Sequence, residues 1–255
     1  MTYTNTKRNY NLTISRLSAK DLVLHPLLSK PIVIPDHVDL RLKPQMPPIY
    51  DQGQLGSCSA NALCAAFEFD SPNYMGSRLF LYYNERKLEN DIADDAGALL
   101  SDGVKCLSKY GVCPETEWPY DITKFAVAPP AECYTDARAH HVVAAHNIPN
   151  DLASMKKCLA AGFPIVVGVQ IYESFESDAV AATGEVSMPL PGEKCLGGHA
   201  VCIVGYKDAT SQWIMRNSWG LGWGADASGY FYLPYAYLLD PSSASDMWTI
   251  TSVKK

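Results

Sequence analysis

The period of the apolar residues changes once along this chain, near Gly162, and that change constrains the fold more than any single motif. Before it, apolar side chains recur at helical spacing. A helix is predicted over 57–69, with Ser57 as its cap and Ala60, Leu63 and Phe67 three and four residues apart on one face. A second is predicted over 99–109, closed by Gly111 in the left-handed conformation, and a third over 151–161. After Gly162, residues 163–171 are almost continuously apolar and β-branched, and 199–206 and 213–217 read as strands joined by a polar turn. Helices first and strands second imply an α+β chain in two lobes, one mainly helical and one mainly sheet, with a cleft between them. At 255 residues the chain can bury two such lobes without covalent staples.

Charge narrows the partners. There are 21 Lys plus Arg against 27 Asp plus Glu, a net charge of -6, and no basic cluster that would track phosphates, so nucleic acid is not expected. No uncharged apolar run approaches a membrane span, and residues 1–20 carry no apolar leader core, so a soluble product in a reducing compartment is expected. The sequon Asn11-Leu12-Thr13 then has no route to modification. Eight cysteines (58, 64, 106, 113, 133, 158, 195, 202) are too few for a disulfide scaffold and suit a reduced protein or one catalytic thiol.

One stretch concentrates the chemistry. Asp51-Gln52-Gly53-Gln54-Leu55-Gly56-Ser57-Cys58-Ser59-Ala60 follows a segment broken by Pro44, Pro47 and Pro48, and it sets a thiol in the first turn of a helix. Free N–H groups and the positive end of the helix dipole stabilise an anion there, so Cys58 is expected to carry a lowered pKa. A partner base is sought among His25, His37, His140, His141, His146 and His199, of which only His199 lies in a strand-like run. The glycines before it, Gly197 and Gly198, let another backbone approach closely, as at a cleft wall. Asn217 follows on the next strand, where a hairpin sets its amide against the imidazole, and Trp219 then shields that hydrogen bond from water.

These residues carry a resemblance to the papain-like cysteine peptidases, whose His and Asn lie about 130 to 150 residues after the nucleophile. His199 is 141 residues and Asn217 159 residues beyond Cys58. The likeness extends from Val38-Asp39-Leu40-Arg41 through Tyr110-Gly111-Val112 and Trp118-Pro119-Tyr120 to Gly229-Tyr230. It implies a papain-like two-lobe fold, with a barrel-like sheet lobe, and a hydrolase that needs no cofactor or metal. By the same resemblance Cys58 is the nucleophile, His199 its acid and base, Asn217 the group that orients His199, and Gln52 an oxyanion donor. It also implies that Gly97, Ala98, Leu99 and Leu100 hold an extended peptide, with Gly168 and Ala200 completing an apolar pocket for the second residue before the cut.

Departures accompany the likeness. Leu55 and Asp95 stand where relatives carry a disulfide, and Ser59 replaces the usual aromatic after the nucleophile. Each site residue has a plainer reading when taken singly: a buried thiol for Cys58, a core histidine for His199, a turn residue for Asn217. Cys106 and Cys113 straddle a helix end and Cys195 and Cys202 flank His199, spacings that match no zinc pattern, so they read as buried thiols. His140, His141 and His146 read as exposed loop histidines, and Gly220-Leu221-Gly222-Trp223-Gly224 as turns rather than a phosphate loop.

The expected organisation is an amino-terminal arm over 1–34, with a possible strand at 11–16, and a catalytic domain over 35–255. Its helical lobe is expected over 46–148 and its sheet lobe over 149–250 together with 35–45. The arm is either a propeptide across the cleft or a strand packed outside; family members are often made as zymogens, which favours the first. The function expected is a monomeric endopeptidase acting on protein or peptide substrates through a thioester, with an intramolecular inhibitor. Its rivals are a catalytically silent papain-fold binding module, and an aminopeptidase, amidase or acyl-transfer enzyme using the same thiol.

Overall fold

The structure is a computed structural model that describes residues 8–12 and 31–254. Helix α1 (Cys58–Asp70) runs through the middle of the molecule and is buried on every side over Cys58–Phe69. The expected single apolar stripe is therefore too narrow an account. Ser59, Ala60, Ala62, Ala65 and Ala66 are small enough for neighbours to close on all faces, which is how an all-round apolar helix is accommodated. Ser57 occupies the cap position, but its side chain makes no cap bond; its hydroxyl is committed to the Tyr120 hydroxyl instead.

Around α1 stand α2 (Arg78–Glu89) and α3 (Leu100–Lys109), followed by the short α4 (Ala131–Ala137). The predicted helices over 99–109 and 151–161 correspond to α3 and to α5 (Leu152–Ala160), which Asp151 caps through the Ser154 amide. Two short helices, α6 (Asp178–Thr183) and α7 (Tyr235–Leu239), lie among the strands. No helix among the described residues is long and apolar enough to cross a membrane.

The strands are β1 (His37–Asp39), β2 (Val142–Asn147), β3 (Ile165–Tyr172), β4 (Cys195–Lys207), β5 (Gln212–Arg216), β6 (Tyr230–Pro234) and β7 (Ala244–Val253). They form an open antiparallel sheet in the order β2-β7-β3-β4-β5-β6, with β1 beside the far end of β4. The sheet thus reaches back to 142–147, inside the span expected for the helical lobe. His146 lies on β2 opposite Thr249, and His140 stacks on Tyr74 with ring centroids 3.9 Å apart, so neither is the exposed loop histidine expected.

Three strands matter for the site. β3 pairs with β4 in a register that sets Gly168 opposite Ala200 and Val169 opposite His199. β4 and β5 form the hairpin predicted from the sequence, through a short 3-10 turn at Asp208–Thr210. α1 lies against β4, where the Cys202 thiol donates to the Ala62 carbonyl at 3.3 Å.

Candidate active site

Cys58 begins α1 at the lobe boundary, with its side chain wholly buried. The sulfur faces the backbone amide of Ala200, the residue after His199, as well as the amides of Ser59 and of Cys58 itself. His199 is also buried, and its Nε2 meets Asn217 Oδ1 at 2.8 Å across the hairpin. Asn217 is fixed in turn by the Ser218 amide, which donates to the same Oδ1 at 2.8 Å. Trp219 lies over the imidazole, ring centroids 5.0 Å apart, in the shielding position expected from the sequence.

The loop before α1 is tied to the same hairpin. Gln52 N–H donates to Ser218 O and Gly220 N–H to Tyr50 O, both at 2.9 Å, while Ser218 Oγ donates to Gln52 Oε1 at 2.7 Å. Gln52 Nε2 donates to Leu55 O at 3.0 Å, which holds the side chain beside the start of α1. Prolines at 47 and 48 leave carbonyls without neighbouring N–H donors, and the buried guanidinium of Arg216, one residue before Asn217, donates to both. These bonds tie the Gln52 loop before α1 to the hairpin that carries His199 and Asn217, and the Ala200 amide brings the Cys58 sulfur against the same strand.

The missing disulfide has a polar replacement. The Asp95 carboxylate accepts the Gly56 amide at 3.0 Å and the Tyr82 hydroxyl, joining the two segments that Leu55 and Asp95 do not bridge covalently. Ser59, where an aromatic was expected, donates its hydroxyl to the buried carboxyl of Glu85 at 2.8 Å. Neither Tyr82 nor Glu85 was singled out in the sequence, because both belong to α2, which has no motif.

Residues 8–12 lie in the cleft. Arg8 donates to Gly53 O at 2.8 Å, and its guanidinium stands 5.4 Å from the Trp219 ring centroid. Asn9 donates to Gln54 O and Asn11 to Asp95 O. Tyr10 packs edge-on against His199, centroids 6.2 Å apart, with its hydroxyl on Glu176. Leu12 is buried and its N–H donates to Gly198 O at 3.2 Å, while Asn11 forms a parallel bridge with Gly198. Of the strand expected over 11–16, this bridge is the described part; 13–16 fall outside the described residues, as does His25.

The glycines explain how the segment fits. A Cβ on Gly97 would lie 2.0 Å from Asn11 O, one on Gly197 2.3 Å from Tyr10 O, and one on Gly198 2.3 Å from Leu12 O. Gly97 is thus brought against the segment, whereas Leu100 is buried in the core at the head of α3. Ala98 is buried, Leu99 precedes α3, and Gly168 and Ala200 share a rung of the sheet beneath Cys58.

The site residues are buried, and the expected thiolate is not what their electrostatics favour. Burial pushes the Cys58 thiol up to about 12, outweighing the amides that face it. Burial pushes His199 down to about 4, with the Arg8 charge acting in the same direction and the Asn217 bond opposing it. Burial thus moves both the thiol and the imidazole toward their neutral forms, because desolvation here exceeds what a helix end supplies. The other thiols are free, and Cys195 is exposed rather than buried as expected.

Residues 34–237 match the profile of the papain family cysteine proteases. The chain belongs to this family. It is 42% identical over 264 residues to an uncharacterized peptidase C1-like protein of Acanthamoeba polyphaga mimivirus, covering 97% of this chain and 84% of that one. A probable cysteine protease of Arabidopsis thaliana is 31% identical over 78% of this chain, which spans 43% of that protein's length. Among solved structures, xylellain, a cysteine protease from Xylella fastidiosa, superposes with a TM-score of 0.86 at 35% identity, covering 99% of each chain. Amb a 11, a ragweed pollen cysteine protease solved in its proform, shares the fold at 22% identity and a TM-score of 0.70, covering 89% of this chain and 69% of that one. This papain-family chain is therefore a cysteine peptidase with the α+β two-lobe fold, and its substrates are peptides.

Proposed function

We propose that the chain is an endopeptidase whose Cys58 attacks the scissile carbonyl, held latent by its own residues 8–12. His199 takes the thiol proton as the C–S bond forms, and gives it to the departing amine as the C–N bond breaks. Water then attacks the thioester, its proton passing to His199, and the acid product leaves as the thiol is restored. Asn217 orients His199 throughout, and Gln52 with the Cys58 amide receives the negative oxygen of each tetrahedral intermediate. The observation that carries this reading is the 2.8 Å bond from His199 to Asn217, together with the Cys58 sulfur facing the amide of Ala200, the residue after His199.

Residues 8–12 favour latency because Tyr10 packs on His199, Arg8 stands over Trp219 and Leu12 bonds to Gly198, with the Arg8 charge adding to the burial that lowers His199. Withdrawing them admits water and a polar substrate backbone, which lets the thiolate and imidazolium form as a pair. Burial of Leu12 against Gly198 favours a pocket for an apolar side chain two residues before the cut, with Gly168 and Ala200 along its wall. A segment that runs from Gln54 across His199 to Gly198 also fits a cleft that takes an extended chain on both sides of the nucleophile.

Exposure of the protein to an epoxysuccinyl thiol trap, followed by peptide mapping, tests this directly. Alkylation of Cys58 alone among the eight thiols, faster after residues 1–34 are removed, is the expected result. Equal labelling of both forms would refute latency, and no selective labelling in either form would favour a silent binding module.

A further inference from the structure

Cys113, Glu117 and Cys133 bring one sulfur, one carboxylate oxygen and a second sulfur within 4.8 Å of one another. In the sequence Cys113 lies near Cys106, across the end of α3. Its neighbour in space is Cys133, on α4, and the two buried thiols share a hydrogen bond. Asp136, one turn along α4 from Cys133, hydrogen-bonds to Glu117. Two carboxylates side by side repel each other unless a proton or a cation lies between them. The ion pairs among the described residues engage neither Glu117 nor Asp136.

The local backbone fits a coordination turn. The Glu117 amide donates to Pro114 O at 3.0 Å, which folds Cys113 and Glu117 toward the same side. Cys133 and Asp136 are three residues apart on α4 and share a face of that helix. Both cysteines are buried while Glu117 is exposed, so the carboxylate side of the cluster faces solvent.

We propose that Cys113, Cys133 and Glu117, completed by Asp136, bind one thiophilic divalent cation of the zinc type. Two sulfurs exclude calcium and magnesium, which take oxygen donors, and a mixed sulfur and carboxylate set in a tight cluster suits four-coordinate zinc. Binding expels the two thiol protons to solvent and forms two metal–sulfur bonds, with no change of oxidation state. The ion fastens α4 to the segment 113–120, which reaches the catalytic loop: Cys113 O accepts the Ser77 amide, Glu115 pairs with Arg78, and the Tyr120 hydroxyl donates to Gln52 O at 3.0 Å. The role assigned is structural, bracing the wall behind Gln52.

The test uses the full chain, reduced and metal-stripped, in a Cys58→Ser background so that the nucleophile supplies no sulfur. Zinc is titrated against a chromophoric chelator, and cobalt is used as a spectroscopic probe. The expected result is one equivalent per chain, sulfur-to-cobalt charge-transfer absorption, and a rise in the thermal midpoint on adding zinc. All three are lost in a Cys113→Ser/Cys133→Ser variant and unchanged in Cys195→Ser, which removes only the exposed thiol. Asp136→Asn is expected to weaken binding about tenfold or more, and its milder change keeps the test decisive where the double variant does not fold. Absence of a bound equivalent, or binding undiminished in both Cys113→Ser/Cys133→Ser and Asp136→Asn, overturns the proposal. So does a Cys113–Cys133 disulfide that, once reduced, yields a protein binding no zinc.

Discussion

Replacing Glu85 by Gln should flatten the pH dependence of folding stability. Glu85 is wholly buried on α2; one carboxyl oxygen accepts the Ser59 hydroxyl, while the other has no hydrogen-bond partner. Burial pushes its pKa up from 4.5 to about 8, with Glu89 and Asp102 adding to the effect and Ser59 and Arg86 opposing it. Between those values the native state holds a proton that the unfolded chain has released. Stability from this group is therefore complete below pH 4.5 and is lost as pH rises toward 8. At about 1.4 kcal/mol per pH unit the loss across that window is roughly 5 kcal/mol, comparable with the whole stability of a marginal domain. Gln matches the protonated carboxyl in shape and does not titrate. Urea unfolding of Cys58→Ala and of Cys58→Ala/Glu85→Gln at pH 5, 6, 7 and 8 isolates Glu85 with the groups coupled to it, since titrating groups not coupled to Glu85 cancel in the difference. The double variant should gain on its parent by several kcal/mol between pH 5 and pH 8; parallel curves would refute the assignment of a neutral Glu85.

Cys58→Ala should abolish peptide hydrolysis with the thermal midpoint preserved, and appreciable residual turnover of a fluorogenic peptide would reassign the nucleophile. Gln52→Ala should lower kcat about a hundredfold through loss of an oxyanion donor, and an unchanged kcat would place that hole elsewhere. Gly198→Ala puts a Cβ 2.3 Å from Leu12 O and should expel residues 8–12, seen as faster alkylation of Cys58 by iodoacetamide. Asp95→Ala leaves the Gly56 amide and Tyr82 hydroxyl without their acceptor and should cost about 1–3 kcal/mol in urea unfolding.

The elements read from the sequence are those with one buried face or a marked end. α3 is bounded as predicted because Gly111, at a φ of 77°, stops it, and α5 because Asp151 caps it. α2 is not foreseen: Arg78-Leu79-Phe80-Leu81-Tyr82-Tyr83 is buried throughout, and its unbroken run of large apolar and aromatic residues marks no single helical face. The site was legible because its four groups lie on a loop, a helix start and one hairpin, each with local signals. Its electrostatics were not, since the raised thiol pKa follows from burial in the tertiary fold, which no local signal around Cys58 announces. The Cys113 and Cys133 pairing was hidden for the same reason, as a turn and a helix separated by a long loop meet only in space.

Residues 8–12 are part of the chain whose cleft they fill, and this alters how any competitor must act. A ligand joined to its own site by a short stretch of chain has an effective concentration on the order of millimolar. Dilution leaves that value unchanged, so occupancy of the cleft is the same at nanomolar and at micromolar protein. A free peptide of equal intrinsic affinity has to reach millimolar levels before it holds the cleft half the time, whereas cutting the chain anywhere between Leu12 and Pro31 turns residues 8–12 into an ordinary ligand that dilution removes.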